Sequence, residues 1–310
     1  MLETIKKANP LEIQQLLLEI MPLLARSFIL DDELYADKND PFRQDFANNP
    51  DDVLMHESDW HQWGIITHTR QMDTARLAAV DLLGESFQPA GDRLSKAMVG
   101  HFNKWQLSLV LAPVVHDWGK FIRREYLGFK PDGRPNFNFD GHEFGSGLLV
   151  RRFKHFLTGF NLTYDQVEYL ARCAELHFEL GKVRKEAKRT EGGYTFAFVN
   201  GPRCAEACEA IIKSNSDLAE EIGALFAVDS LAKVGVISAV EASSDVDLTR
   251  FKTRVVAEVK KDGLPERYVQ AGLKLGLDLA LARRYFSILN KMTRPLYASN
   301  SIALTLCGAF

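Results

Sequence analysis

Apolar residues recur along this chain at helical spacing almost from end to end. Leu11, Leu17, Leu18, Ile20, Met21 and Leu24 form one broad stripe and predict a helix over residues 10–28. The same reading predicts helices over 62–84, 92–117, 141–158, 163–180, 202–213, 216–241, 246–262, 265–276 and 278–293. Thr163 with Gln166 forms a capping box ahead of one of them, and Pro265 suits a first helical turn. Residues 31–60, rich in Asp and Asn with Pro41 and Pro50, predict a loop-rich connector. Residues 127–140 and 187–201 are read as non-helical, with the β-prone run 194–199 able to form one small hairpin strand. The expectation is an all-α fold: a helical bundle over 56–244, with N- and C-terminal helical extensions at 1–55 and 245–310 that cover the core or form a homodimer interface.

Composition narrows this little. A chain of 310 residues with 46% hydrophobic and 25% charged content buries a sizeable core. The net charge of −3 gives no global basic field, so a nucleic-acid partner has no support from charge. Apolar stretches read as shorter than a membrane span, and the N-terminus lacks the layout of a signal peptide, so the expectation is no membrane partner and a cytoplasmic location. Cys173, Cys204, Cys208 and Cys307 read as small buried thiols rather than a zinc set.

Candidate chemistry changes the picture more. The run Leu107–Val115 is nearly continuous in apolar residues, yet it leads into His116-Asp117. Burying an imidazole and a carboxylate side by side is costly unless each finds a partner. A divalent cation is such a partner, because it offsets the acid and accepts the imidazole lone pair. Gly119 is read as allowing a tight turn, after which Lys120 is placed for an anionic group. His68, His142, His177 and Asp229 are the further candidate ligands. Each has a bland reading: His68 as a satisfied helix residue, His142 at a helix start, His177 at a helix end, and Asp229 paired with Lys233.

The order His68, His116-Asp117, His142, His177, Asp229, with the phrases His-Asp-x-Gly-Lys and Phe-x-Gly-His-Glu-x-x-Gly, resembles the HD-domain phosphohydrolase superfamily. It is similar in particular to the HD region attached to some bacterial tRNA nucleotidyltransferases. The resemblance covers roughly residues 60–235 and includes no nucleotidyltransferase motif. It implies an HD-domain bundle in which His68, His116, Asp117 and Asp229 hold a first metal. His142 and His177 then hold a second, with Asp117 bridging, or contact the substrate phosphate where only one metal is present. Lys120 matches a phosphate-binding lysine. The implied activity is hydrolysis of a phosphomonoester or phosphodiester, of a nucleotide, by water activated on one or two divalent ions (Mn, Fe, Co, Ni or Zn). Asp117 and Lys120 are then the catalytic pair. The competing expectations are a di-iron oxygenase on the same scaffold and a non-catalytic module that senses a nucleotide or RNA.

Four readings stay open. His61, seven residues before His68, is the rival for the first ligand position; it is otherwise grouped with His56, His101 and His155 as surface or packing. Arg124 reads a substrate phosphate or pairs with nearby acids. The basic run 182–189 is a solvated mobile face or a cationic lid, and the aromatic loop 129–139 covers the core or stacks a base.

Overall fold

The computed structural model describes residues 9–57, 59–241 and 247–307, from residue 294 onward as backbone only. The described chain is all-α: helices with two short antiparallel hairpins. Helix α1 (Pro10–Leu30) starts at a capping box in which Asn9 Oδ1 accepts from Leu11 N and Glu12 N and Glu12 Oε2 accepts from Asn9 N. By length and composition α1 is apolar enough to cross a membrane, against the sequence expectation. Its stripe Ile13, Leu17, Met21, Ala25 and Phe28 is buried in the core. A short α2 (Arg43–Asn48) and a 3₁₀ turn, Val53–Met55, interrupt the predicted connector. Helix α3 (Ile65–Leu83) carries His68.

The single helix predicted over 92–117 is broken. It becomes α4 (Gln88–Lys96), a hairpin of β1 (Met98–Val99) and β2 (Phe102–Asn103), and α5, which runs at π pitch over Gln106–Leu111 and continues as Ala112–Val115. Gly100 takes the left-handed turn at φ +63°. Asn103 Oδ1 then accepts from Gln106 N while Gln106 Oε1 accepts from Asn103 N, a second capping box that restarts the helix. The π stretch ends at Leu111, two residues before Pro113, which has no N–H to give. The Val110 carbonyl in that widened turn accepts from Gln14 Nε2 of α1 at 3.1 Å.

A 3₁₀ turn, Trp118–Phe121, leads to a hairpin of β3 (Glu125–Phe129) and β4 (Pro135–Asn138), then α6 (His142–Arg152), α7 (Lys154–Thr158) and α8 (Tyr164–Leu176). The Thr163–Gln166 box opens α8. Next come α9 (Glu179–Glu191), α10 (Phe196–Asn200), α11 (Pro202–Ser214) and α12 (Ala219–Leu231). The chain continues with α13 (Ile237–Glu241), α14 (Leu248–Lys261) and α15 (Tyr268–Cys307). The stretch read as non-helical over 187–201 is corrected: α9 persists to Glu191, ends at Gly192 with φ +73°, and Thr195 caps α10. A β-prone run without a partner strand takes the helical alternative its cap offers. The two helices predicted over 265–293 are one, and Pro265 stands before it, its carbonyl accepting from Tyr268 N. Gly276, at the boundary between those two ranges, lets α14 close in, since a Cβ there would stand 2.2 Å from Phe251.

Every side chain of α12 except Glu220 is buried, and it packs on α3 and α15. Residues from Ile13 to Leu289 join one contiguous buried cluster, so the described parts of both extensions belong to the same core. Cys173, Cys204 and Cys208 are buried free thiols.

Arg124 is built into that core rather than the cavity. It is fully buried between the Phe46 and Phe137 rings, and Nε and Nη2 donate to Asp40 Oδ2 at 2.9 and 2.5 Å. Tyr35 donates to the same oxygen. A buried charge pair is strongly coupled, and lysine cannot reproduce the planar fork between two rings. Arg124→Lys is expected to cost about 2 kcal/mol in denaturant unfolding without affecting substrate KM. A raised KM at unchanged stability would restore the phosphate reading.

Candidate metal centre

Five elements bring the predicted ligands together. His68 comes from α3, His116 and Asp117 from the end of α5, His142 from the first turn of α6, His177 from the C-cap of α8, and Asp229 from α12. All are buried except His142, which is half-buried at the cavity wall.

Each imidazole is anchored by Nδ1 to a main-chain carbonyl: His68 to Ala232, His116 to Pro113, His142 to Phe139 and His177 to Ala174, at 3.2, 2.7, 2.9 and 2.7 Å. A carbonyl only accepts, so Nδ1 carries the hydrogen and Nε2 presents its lone pair inward. Anchoring of this kind fixes ring orientation in metal sites. His116 and His177 owe their bonds to residues three positions back in their own helices, so the helix end itself aims the ring.

The carboxylates occupy the space those lone pairs face. His68 Nε2 stands 3.0 Å from Asp229 Oδ1, and His116 Nε2 3.3 Å from Asp117 Oδ2 and 3.7 Å from Asp229 Oδ1. Asp117 Oδ1 looks the other way, toward His142 Nε2 at 3.4 Å and His177 Nε2 at 3.9 Å. Asp117 therefore stands between two ligand groups: His68, His116 and Asp229 on one side, His142 and His177 on the other. His116 Nε2 and Asp117 Oδ1 are buried with no hydrogen-bond partner among the described residues. Lone pairs facing carboxylate oxygens at these distances require a proton or a cation between them, and these imidazoles and carboxylates could hold a metal ion.

Charge follows from this arrangement. Burial opposes an imidazolium at His116, but the Asp117 and Asp229 carboxylates outweigh it and lift its pKa to about 9. Burial opposes ionisation of Asp117 too, yet His116 and Lys120 hold it well below the carboxylate range. Burial, then the charges of His116 and His142, push His177 down to about 3. A metal ion must displace the His116 proton. Its affinity is therefore expected to rise between pH 6 and 9, approaching tenfold per pH unit for one proton released. The sign for stability is the reverse in the metal-free protein. A His raised from about 6.5 stabilises fully below that pH and loses its contribution as pH passes 9. Competition titration with a chelating dye across this range checks the affinity, and denaturant unfolding of the metal-free protein checks the stability; a flat affinity would contradict the proton count.

Lys120 is 3% exposed and stands beside Asp117. Its Nζ is 2.9 Å from Asp117 Oδ2, 2.9 Å from His56 Nε2 and 4.0 Å from Glu57 Oε2. Burial opposes its charge, but Asp117 and Glu57 raise its pKa, so it stays an ammonium. His56 and His61 correct the surface-or-packing reading: both are buried beside the site, their rings 3.9 Å apart. With Glu57 they form a second group of close metal-ligand atoms. His56 Nδ1 faces the Trp63 carbonyl at 3.2 Å, which leaves Nε2 to accept from Lys120. Of the two rivals for the first ligand position, His68 is the one adjoining Asp229, at 3.0 Å. Asp229 also accepts from Lys233 at 2.7 Å, so the bland pairing and the cluster coexist.

A cavity of about 200 Å³ opens onto the cluster. Asp117, Lys120, His142, His177 and Asp229 line it, together with the residues the sequence reading missed: Glu57, Trp60, Phe178, Tyr194 and Lys274. The basic run 182–189 is helical rather than a mobile face, and Arg184, Lys185 and Lys188 reach the cavity. Phe139 lies on the wall, whereas Phe129 is exposed. His101 and His155 lie outside it. No family model, curated protein or solved structure matches the chain.

Proposed function

We propose that this chain is a metal-dependent phosphoester hydrolase of HD-domain type, acting on a small phosphorylated substrate such as a nucleotide. The observation that carries the reading is Asp117: a buried carboxylate, with Oδ1 unbonded, set between two groups of inward-aimed imidazoles with an ammonium beside it. His68, His116, Asp117 and Asp229 would hold one divalent transition-metal ion, and Asp117, His142 and His177 a second. Bound there, Mn, Fe, Co, Ni or Zn would lower the pKa of a coordinated water toward about 7 and would draw charge from phosphoryl oxygens.

The chain's own groups divide the remaining work. Asp117 is ionised and has no competing hydrogen donor on Oδ1, so it orients water and accepts its proton there. Lys120 Nζ donates to a phosphoryl oxygen as negative charge builds on it. Its tether to His56 keeps the ammonium at the cavity wall before substrate arrives. His177, neutral at working pH, offers Nε2 as a lone pair without adding repulsion toward a cation. If only one ion is held, His142 and His177 face the substrate phosphate instead. Among the described residues, six basic side chains line the cavity: Lys120, Arg184, Lys185, Lys188, Lys233 and Lys274. An ion on Asp117 and Asp229 would leave that wall in excess, which suits a polyanion.

Elemental analysis of the purified, metal-reconstituted protein, with hydrolysis of a general phosphoester, tests the reading. Near two transition-metal atoms per chain with metal-dependent turnover supports the bridged arrangement, and one atom with turnover supports the mononuclear form. Two irons with oxygen consumption and no hydrolysis would replace the reading with an oxygenase. No metal after reconstitution would sink it and leave a binding module.

A further inference from the structure

The lysines lining the cavity divide into two kinds. Lys120 and Lys233 have carboxylate partners in the cluster, at Asp117 and Asp229. Lys185, Lys188 and Lys274 have no carboxylate at ion-pair distance among the described residues. Each ammonium rests instead on an aromatic face: Lys185 over Phe178 at 4.9 Å, Lys188 over Tyr194 at 6.0 Å, Lys274 over Trp60 at 4.7 Å. A ring quadrupole attracts a cation but does not neutralise it. Arg184 adds charge in the same place: buried, bonded to Asp278, and within 6.0 Å of both the Phe178 and Tyr194 rings.

The two kinds adjoin through Phe178. Lys233, bonded to Asp229, stands 5.6 Å from the Phe178 ring that carries Lys185. Phe178 follows His177 in the chain, so the turn that aims a cluster histidine also sets this ring. Lys185 and Lys188 lie three apart on α9 and face one side. Lys274 arrives from α15, outside the region resembling the HD superfamily.

We propose that Lys185, Lys188 and Lys274 form a second anion subsite in this cavity, which takes a phosphate of the substrate other than the one presented to the histidine–aspartate cluster. The substrate class is thereby a small molecule bearing at least two phosphates; this rests on the phosphoester reading. Burial first, then Arg184 and Lys233, hold Lys274 well below the ordinary lysine range, so its surroundings oppose its charge until an anion sits beside it. A phosphate seated there offsets it.

Calorimetric titration of the metal-loaded protein at low temperature tests this with three probes: AMP, ADP and adenosine 3′,5′-bisphosphate. At least one two-phosphate probe is expected to bind about tenfold or more tightly than AMP, the effect of one charge-assisted contact. In the variant Lys185→Ala, Lys188→Ala, Lys274→Met that preference is expected to shrink to about twofold, with metal content unchanged. Methionine keeps the stem of Lys274 on Trp60, and the lysine-free α9 face is exposed, so the variant reads charge rather than folding. Equal affinity of all three probes for the wild type, or a preference that survives the triple change, overturns the subsite. If AMP then still binds and is hydrolysed, the phosphoester reading stands without it; if no probe binds the metal-loaded protein, both fall.

Discussion

Asp117→Asn is expected to reduce metal content from near two atoms per chain to one or fewer, and phosphoester turnover by about a thousandfold or more. The substitution keeps the shape of the side chain and removes the charge. That charge holds three things at once. Oδ2 faces His116 at 3.3 Å and Lys120 at 2.9 Å, and Oδ1 faces His142 at 3.4 Å. With an amide in its place, one end presents N–H groups to lone pairs that would otherwise meet a cation, and neither ligand group retains its shared anion. The loss is therefore larger than removal of a peripheral support, for which a ten- to hundredfold effect is usual. The comparison must separate chemistry from folding. The variant's thermal midpoint without metal is expected to fall, because Lys120 and His116 are left buried without their shared carboxylate, so metal content and turnover are compared at a temperature where both proteins are folded. Metal content and turnover both preserved in Asp117→Asn would remove the central role given to this residue.

The cluster was legible in the sequence because its signal is chemical. Polar residues placed where an apolar helix should continue are expensive unless partnered, and His116-Asp117 is such a place. What the spacing could not carry is the second layer. His56 and His61 stand in an acidic stretch without periodicity, so nothing local marks them as buried; they become so because the turn after Val53–Met55 folds back over Lys120. Nothing local marks Lys274 in the sequence; the packing of α15 on α12 brings it to the cavity. Arg124 misled in the opposite sense. Its neighbourhood to Lys120 suggested phosphate, yet the guanidinium turns inward to Asp40, a residue 84 positions away. Helix boundaries failed where a local signal was read singly: Asn103 and Gln106 mark a restart of the helix, but only as a pair.

Gly119→Ala is expected to destabilise the protein by about 4 kcal/mol and to weaken metal binding at the His142 side by about tenfold or more. The sequence suggested that Gly119 serves a tight turn, but its φ is not in the left-handed region. What it provides is space. A Cβ at Gly119 would stand 1.9 Å from the His142 carbonyl oxygen and 2.6 Å from Ser146 N. Both are backbone atoms of α6, so no side chain can rotate away; the helix itself must retreat. The contact is close because it is bonded: Gly119 N donates to Ser146 Oγ at 2.8 Å, and Ser146 Oγ donates to the His116 carbonyl at 2.6 Å. One hydroxyl thus ties the end of the helix bearing His116-Asp117 to the helix beginning at His142, and it does so against Gly119. Moving α6 outward breaks both bonds and carries the His142 ring away from Asp117 Oδ1. Gly147 in the same helix supplies the control. A Cβ there meets the side chain of Glu175, 2.4 Å from Oε1 and 2.5 Å from Cγ; that half-buried chain must shift and re-form its bond to Arg151, but no backbone atom stands in the way. Gly147→Ala also gains about 1 kcal/mol of helix propensity, so its net effect is expected within about 1 kcal/mol of wild type. Denaturant unfolding and metal content, measured on both variants side by side, check the argument. Similar midpoints for the two alanines, with metal retained in Gly119→Ala, would mean that the close approach of α6 to the His-Asp turn does not build the site.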